Sequence, residues 1–369
     1  VSDIAVIFGG PSPEHDVSVL TGLQAAHELQ RAGRSVQALY WSKSAEWFAV
    51  DAALEATAFL DGVPKGAQPL RLVLGAGGGF EGSGGRFSKQ KATEFAAAVV
   101  CCHGGPGEDG TLQAALDAAG VPYTGPGVAA AALGMDKLAF GGVMVAAGLP
   151  TLPRLALTAT TEDVGFAGPY IVKPRFGGSS IGIRVVEDLA TAKAFLGDVH
   201  LRDGAVLESY RPDLFDVQVA LRCWPETQVS AIERPLRSAG SGGEILGYID
   251  KYVGGEGMAS APRQLPADLP GTTADELRRV ARRIAELVLV RGVARLDFLT
   301  DGTELVVNEI NTIPGSLARY LWIDPVVPFA ALLDDMIAEA TARPTRRYNA
   351  AGADGLVLRG ASSIAAKLA

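Results

Sequence analysis

The apolar run Ile4-Ala5-Val6-Ile7-Phe8 stops at Gly9-Gly10-Pro11-Ser12-Pro13, and this junction limits the possible folds more than any other feature of the chain. An unbroken apolar run suits a strand buried on both faces, and glycine and proline end it within a residue. After the break Val17, Leu20, Leu23, Ala26, His27 and Leu29 recur at helical spacing, Gly33 offers a left-handed cap, and Ser35 to Trp41 turns extended. Strand, crossing helix and strand in this order predict a βαβ opening on a parallel sheet. Ala97 to Cys102 reads as a further buried strand, delivering the loop His103 to Gly110 ahead of a helix over Thr111 to Ala119. Open α/β sheets bind ligands at these strand ends. Glu14-His15 and His103 are therefore either acid/base residues or polar groups capping the helices behind them.

At 369 residues the chain exceeds the usual size of one hydrophobic core, so two or three domains are expected. Gly148-Leu149-Pro150-Thr151-Leu152-Pro153 is a natural boundary. Beyond it, strands over Tyr170–Lys173 and Ile181–Val186, a helix over Asp188–Leu196 and strands over Ala205–Glu208, Val217–Arg222 and Val229–Glu233 predict an α+β unit. A third unit opens with a capping box, Thr273-Ala274-Asp275-Glu276, leading a helix with Leu277, Val280, Ala281, Ile284, Leu287 and Val288 on one face. Val293–Leu299 and Glu304–Ile310 alternate around Asp301-Gly302 as a hairpin, and a helix over Phe329–Ala340 precedes a tail from Pro344.

Lys and Arg number 33 against 41 Asp and Glu, net −8, which supplies no overall basic field for nucleic acid. The longest apolar stretch, Phe95 to Cys102, is far short of the roughly 20 residues that cross a bilayer. The opening Val1-Ser2-Asp3 runs straight into a strand with no signal-peptide pattern, and three cysteines, two of them adjacent, suggest neither a disulfide framework nor a zinc site. A cytoplasmic protein is expected.

Gly77-Gly78-Gly79-Phe80-Glu81-Gly82 matches the spacing of a dinucleotide-binding loop, but no helix opens after it, and it reads as a flexible surface loop. Lys173-Pro174-Arg175-Phe176-Gly177-Gly178-Ser179-Ser180-Ile181-Gly182 joins a lysine-ended strand to a glycine-serine turn. Its backbone N–H groups, hydroxyls and ammonium suit phosphate, and an ordinary hairpin turn is the alternative. Arg295-Leu296-Asp297 and Glu309-Ile310-Asn311 put an arginine and three oxygen ligands beside one hairpin, a set that suits Mg²⁺ if it is not a salt-bridge ladder. Side chains alternate along strands, so Asp297 and Glu309 share a face only across an odd-length connection. Thr300-Asp301-Gly302 with Gly302 left-handed, or a five-residue loop, is expected. Lys137, in Met135-Asp136-Lys137, taken alone suits a solvated helix charge.

In order along the chain, Gly9 to Ser18, His103 to Gly110, Met135 to Lys137, Lys173 to Gly182 and Arg295 to Asn311 resemble the D-alanine:D-alanine ligases of the ATP-grasp fold, from Ile4 to about Thr341. The resemblance implies a multidomain α/β and α+β chain: a Rossmann-like pre-ATP-grasp substrate domain (1–134), central (135–235) and C-terminal (236–343) ATP-grasp subdomains, and a tail (344–369). It further implies ATP phosphates on Lys137, Lys173, Gly177, Gly178 and Ser180, with adenine and ribose on Glu208, Ser209, Tyr210, Arg211 and Asp216. On the same resemblance, Lys251 would end a loop closing on the nucleotide, Glu14 would receive the first D-alanine's ammonium with Ser179 and Tyr252 as partners, and Arg295 with the Gly315 amide would hold the reacting oxygen. It implies His103, Glu108, Tyr320 and Leu321 at the border of the substrates. Asp297, Glu309 and Asn311 would ligate Mg²⁺ or Mn²⁺, two ions per site. The implied reaction joins two D-alanines through an acyl phosphate for peptidoglycan, with no membrane or nucleic-acid partner and a homodimer left open.

Two positions depart from the family's Thr-x-Pro-Gly-x-Thr-x-x-Ser, which here reads Thr312-Ile313-Pro314-Gly315-Ser316-Leu317-Ala318-Arg319-Tyr320. Leu317 and Tyr320 replace the usual Thr and Ser. The Tyr320 hydroxyl is expected to take over the serine's contact with the acceptor carboxylate. A ligase for a different amino-acid pair is the alternative reading, and a nucleotide-binding pseudoenzyme a third.

Overall fold

The computed structural model describes residues 3–83, 93–236, 262–343, 350–361 and 363–368. Ile4–Gly9 (β1), Val36–Trp41 (β2), Trp47–Val50 (β3), Gln68–Val73 (β4), Gly79–Gly82 (β5) and Ala97–Val100 (β6) form one sheet ordered β5-β4-β3-β2-β1-β6. β1 runs parallel to both β2 and β6, and the others are antiparallel. The chain therefore reverses direction across the sheet at β1, and the two loops after β1 and β6 meet at a topological switch point. The helix His15–Arg31 lies over β1 and ends as expected: Gly33 has φ +77°, and the Arg34 N–H bonds the Leu29 carbonyl at 2.9 Å. The glycine-rich decoy is the edge strand β5 rather than a loop, because Phe80 is fully buried and pulls it onto the sheet.

Arg154–Leu157 (β7), Tyr170–Pro174 (β8), Arg184–Val186 (β9) and Ala205–Ser209 (β10) make a second sheet, ordered β7-β10-β8-β9. Phe215–Arg222 (β11) and Gln228–Val229 (β12) precede a short ribbon of Arg234–Pro235 (β13) and Arg263–Gln264 (β14). Val293–Thr300 (β15) and Leu305–Asn311 (β16) complete a third sheet ordered β12-β11-β15-β16. The unit expected over 135–235 is thus divided between two sheets. β11 buries Val217, Val219 and Leu221 in the core formed with β15, and Phe140 and Met144 of the helix Lys137–Ala146 join that same core.

The helix Gly271–Val288 lays Leu277, Val280, Ala281, Ile284 and Val288 against this sheet, all 3% exposed or less. Each large apolar side chain there contributes about 1.5 to 3 kcal/mol of burial. The capping box does not form. The helix starts after Pro270, two residues before Thr273, and the Thr273 hydroxyl donates to the Gly302 carbonyl at 2.6 Å, pinning the hairpin turn. The helix Phe329–Ala342 returns to the first domain, where Leu332, Leu333 and Met336 enter its core.

Candidate active site

A cleft of about 1040 Å³ opens between the second and third sheets. Of the residues singled out for ATP, Lys137, Lys173, Gly177, Gly178, Ser180, Glu208, Ser209, Tyr210, Arg211 and Asp216 all line it. Lys173 points in from β8 and is buried, donating to Glu208 Oε2 at 2.7 Å and to Asn308 Oδ1 at 3.3 Å. Arg154 Nε lies 3.5 Å from the other Glu208 oxygen. Burial pushes the Glu208 carboxyl up, but the Lys173 and Arg154 charges outweigh it and hold the group below its ordinary range. Arg211 is committed to Asp213 and Glu304 at the rim, with bonds of 2.6 to 3.2 Å.

Lys137 is buried, not a solvated helix charge. Asp136 caps its helix, accepting from the Leu138 and Ala139 amides at 3.0 and 3.1 Å, and is clamped by Arg175 at 2.9 and 2.6 Å. Burial lowers the Lys137 ammonium while Glu309, 4.0 Å away, opposes the shift, and the ammonium donates to the Gly177 carbonyl. The turn beyond takes positive φ at Gly177, Ser179, Ser180 and Gly182, so the backbone itself lines the cleft.

On the third sheet Arg295 faces Asn311 and Asp297 faces Glu309 across β15 and β16. The connection is neither three nor five residues. Thr300 pairs with Leu305 across the four-residue turn Asp301–Glu304, with Gly302 at φ +97°. Asp301 Oδ1 takes the Thr303 and Glu304 amides at 2.7 and 2.8 Å and fixes this even length. The odd residue is Asn308, a bulge between the pairs Phe298–Val307 and Asp297–Glu309. Asn308 and Glu309 consequently both line the cleft. Arg295 holds both oxygens of Asp297 at 2.7 and 2.8 Å, and Asn311 Nδ2 adds a bond at 3.2 Å. Each carboxylate oxygen retains further acceptor capacity, so this hard-oxygen set fits a divalent cation beside phosphate.

A second pocket, about 530 Å³, shares Lys137, Gly177, Gly178 and Glu309 with the cleft and adds Glu14, His103, Glu108, Arg295, Asn311, Ile313 and Gly315. Ser179 donates to Glu14 Oε1. A Cβ on Gly104 (φ +62°) would come within 2.4 Å of Glu14 Oε2, so only glycine admits the carboxylate here. His15 is no acid/base group, since its ring nitrogens hold the Gly10 carbonyl and the Tyr40 hydroxyl at 2.7 and 3.1 Å. His103 is spent likewise, on the Ile313 carbonyl at 2.7 Å and the Thr21 hydroxyl at 2.9 Å, and burial pushes it down to about 4. Glu108 accepts from the Gly104 and Ile313 amides at 3.0 and 3.1 Å and is pushed up to about 7, by burial first and then by the Glu14 charge.

Tyr320 and Leu321 are not brought to this pocket. Leu321 is fully buried, and the Tyr320 ring lies 5.0 Å from the Arg263 guanidinium. Lys251 and Tyr252 lie outside the described residues. Sequence reasoning passed over Arg154, Asn308 and Thr21, whose local contexts carry no motif. Only the unbroken run Val306-Val307-Asn308-Glu309, which violates strand alternation, signals the bulge.

The family description "D-ala D-ala ligase N-terminus" matches residues 3–126, and "D-ala D-ala ligase C-terminus" matches 142–338. The chain belongs to the D-alanine–D-alanine ligase family. A ligase of this family from Mycobacterium sp. (strain KMS) is 33% identical over 363 residues, covering 93% of this chain and 97% of that one. Another from Chlorobaculum tepidum is 32% identical, covering 90% and 95%. The fold matches the ligase structure from Coxiella burnetii with TM-score 0.75 at 21% identity, covering 93% and 94% of the two chains. It matches VanG D-Ala:D-Ser ligase from Enterococcus faecalis with TM-score 0.70 at 23% identity, covering 92% and 99%. The architecture is ATP-grasp, and ATP is the nucleotide of this family of ligases.

Proposed function

We propose that this chain joins two D-alanines, converting ATP to ADP and phosphate, to make the dipeptide used in peptidoglycan precursors. The observation that carries the reading is the continuity of the two pockets through Lys137, Gly177, Gly178 and Glu309, which would let a nucleotide terminus in one meet an amino-acid carboxylate in the other. An oxygen of the first D-alanine carboxylate attacks the γ-phosphorus and ADP departs. The second D-alanine's amine then attacks the acyl carbon, loses a proton, and phosphate leaves. Lys137, Lys173 and the N–H groups of Gly177, Gly178 and Ser180 neutralise phosphate charge, while Glu208 to Arg211 and Asp216 receive the nucleoside.

Glu14 pairs with the first ammonium, oriented by Ser179 and, in this reading, Tyr252, and Lys251 closes the nucleotide side. Arg295 and the Gly315 amide face the carbonyl oxygen, with His103 and Glu108 beside them. Asp297, Glu309 and Asn311 would hold Mg²⁺ or Mn²⁺, two ions per site, which when bound offset charge on the phosphates. Tyr320 and Leu321 stand outside the pocket and make no substrate contact in this reading. We take 1–134, 135–235, 236–343 and 344–369 as the working divisions, amended at β11 and β12, and place the enzyme in the cytoplasm, with sedimentation deciding between monomer and homodimer.

The test is product mass spectrometry after incubation with ATP, Mg²⁺ and a pool of D- and L-amino acids. D-alanyl-D-alanine as the main product is expected. Leu317 and Tyr320 favour one competing reading, a different acceptor, which a mixed dipeptide would establish.

A further inference from the structure

The segment Ile313-Pro314-Gly315-Ser316 walls the amino-acid pocket and leads into an unusual backbone. Ser316, Leu317 and Ala318 have φ of +52°, +49° and +50°, consecutive left-handed residues with side chains, which does not persist without outside support. That support comes from the other end of the chain. The Ser316 N–H donates to Thr21 Oγ1 at 3.0 Å, and the Thr21 hydroxyl donates in turn to His103 Nε2 at 2.9 Å. His103 Nδ1 carries the ring proton and donates to the Ile313 carbonyl at 2.7 Å. Glu108 takes the Ile313 N–H at 3.1 Å and the Thr312 hydroxyl at 3.4 Å. Thr21, His103 and Glu108 are each under 9% exposed. Both ring nitrogens of His103 and both oxygens of Glu108 are thereby engaged, and residues 313 and 316, on either side of Pro314-Gly315, are pinned to one rigid frame.

We infer that Thr21, His103 and Glu108 form a clamp from the N-terminal domain that fixes the Ile313–Ser316 backbone and so sets the Gly315 amide for the ligation step, acting as positioning residues rather than as substrate ligands. The inference rests on the ligase reading for its kinetic consequence only. A misplaced oxyanion donor weakens transition-state binding without weakening ground-state binding, so kcat falls while KM holds. Thr21→Val keeps the shape and removes the hydroxyl that links Ser316 to His103.

Steady-state kinetics on the full chain should show Thr21→Val with kcat lowered roughly 30-fold, KM for D-alanine and for ATP within about threefold of wild type, and Thr21→Ser restored to within about threefold. Amide hydrogen exchange of residues 313–318 in the unliganded protein should quicken in Thr21→Val and not in Thr21→Ser. Wild-type kcat in Thr21→Val, a rise in KM that accounts for the whole loss, or unchanged exchange over 313–318 would each overturn the clamp. If wild-type protein makes no dipeptide the ligase reading fails, while the exchange comparison still decides the clamp. A Thr21→Val protein that no longer binds ATP would also overturn it, because a clamp on one loop leaves the nucleotide cleft intact.

Discussion

The two adjoining pockets are built in different ways. The nucleotide cleft balances its charges in close pairs within the ATP-grasp half: Lys173 with Glu208, Asp136 with Arg175, Lys137 near Glu309. The amino-acid pocket draws Glu14, His103 and Glu108 from one domain and Arg295 and Gly315 from another, and brings the two acidic groups close enough for Glu14 to raise Glu108. The first is a locally neutral cradle. The second is a charged seam that exists only when the domains meet, so it is the part in which pH and domain contact control geometry.

The largest effect expected lies in the cradle. Lys173→Ala should lower dipeptide formation by at least about a thousandfold, the loss of a preorganised charge at the transferring phosphoryl group. Were the lysine partly solvated, stability would barely change, but it is buried on Glu208, and removing one partner of a buried pair costs about 3 kcal/mol or more. Urea unfolding of the variant checks this, and an unchanged midpoint would break the picture of a paired cradle. Next comes the seam. Glu14→Gln removes a charge-assisted bond to the first ammonium and should raise that D-alanine's KM roughly 30-fold while the KM for ATP stays within about twofold. Parallel rises in both constants would show that the pockets are one unit.

The third prediction uses pH. Glu108 stays protonated where the unfolded chain ionises, so its contribution to stability is full below about pH 4.5 and is lost as pH rises to about 7. His103 stays neutral where the unfolded chain is protonated, so its contribution is full above about pH 6.5 and is lost as pH falls to about 4. Between about pH 4.5 and about pH 6.5 the two slopes oppose and largely cancel. Glu108→Gln removes one of them. Its unfolding free energy, relative to wild type, should therefore rise by about 2 kcal/mol from about pH 5 to about pH 6.5. A flat difference would mean that Glu108 is ionised throughout. The smallest effect belongs to Tyr320→Phe, which keeps the ring on Arg263, and acceptor KM should change less than about threefold. A tenfold rise would return the acceptor carboxylate to the Tyr320 hydroxyl.

What the sequence disclosed follows the same division. The βαβ opening, the glycine-serine turn and the Arg295–Asn311 hairpin are local patterns, and the structure brings their residues to one place. Strand partnership was less legible: β11 follows β10 in the chain yet joins β15, a choice made by its apolar face meeting the helix Gly271–Val288. The capping box was misleading because tertiary contact recruited the Thr273 hydroxyl. His103 and Glu108 line the second pocket, but what they touch lies 210 and 205 residues away, beyond any spacing rule.

The bulge at Asn308 has a consequence for which changes in length the chain can bear. A strand has a two-residue phase, and Asn308 shifts that phase once, directly ahead of Glu309. Loss of one residue from the turn Asp301–Glu304 would be absorbed there, leaving β16 in register. Loss of Asn308 would restore plain alternation from Leu305 to Asn311, with Val307 still opposite Phe298 and Glu309 still opposite Asp297, and would take from the cleft only the Asn308 side chain that accepts from Lys173. In this hairpin, then, one residue can be lost from the turn or at the bulge while Glu309 keeps its face, whereas loss of Ile310 would turn Asn311 to the opposite side from Glu309.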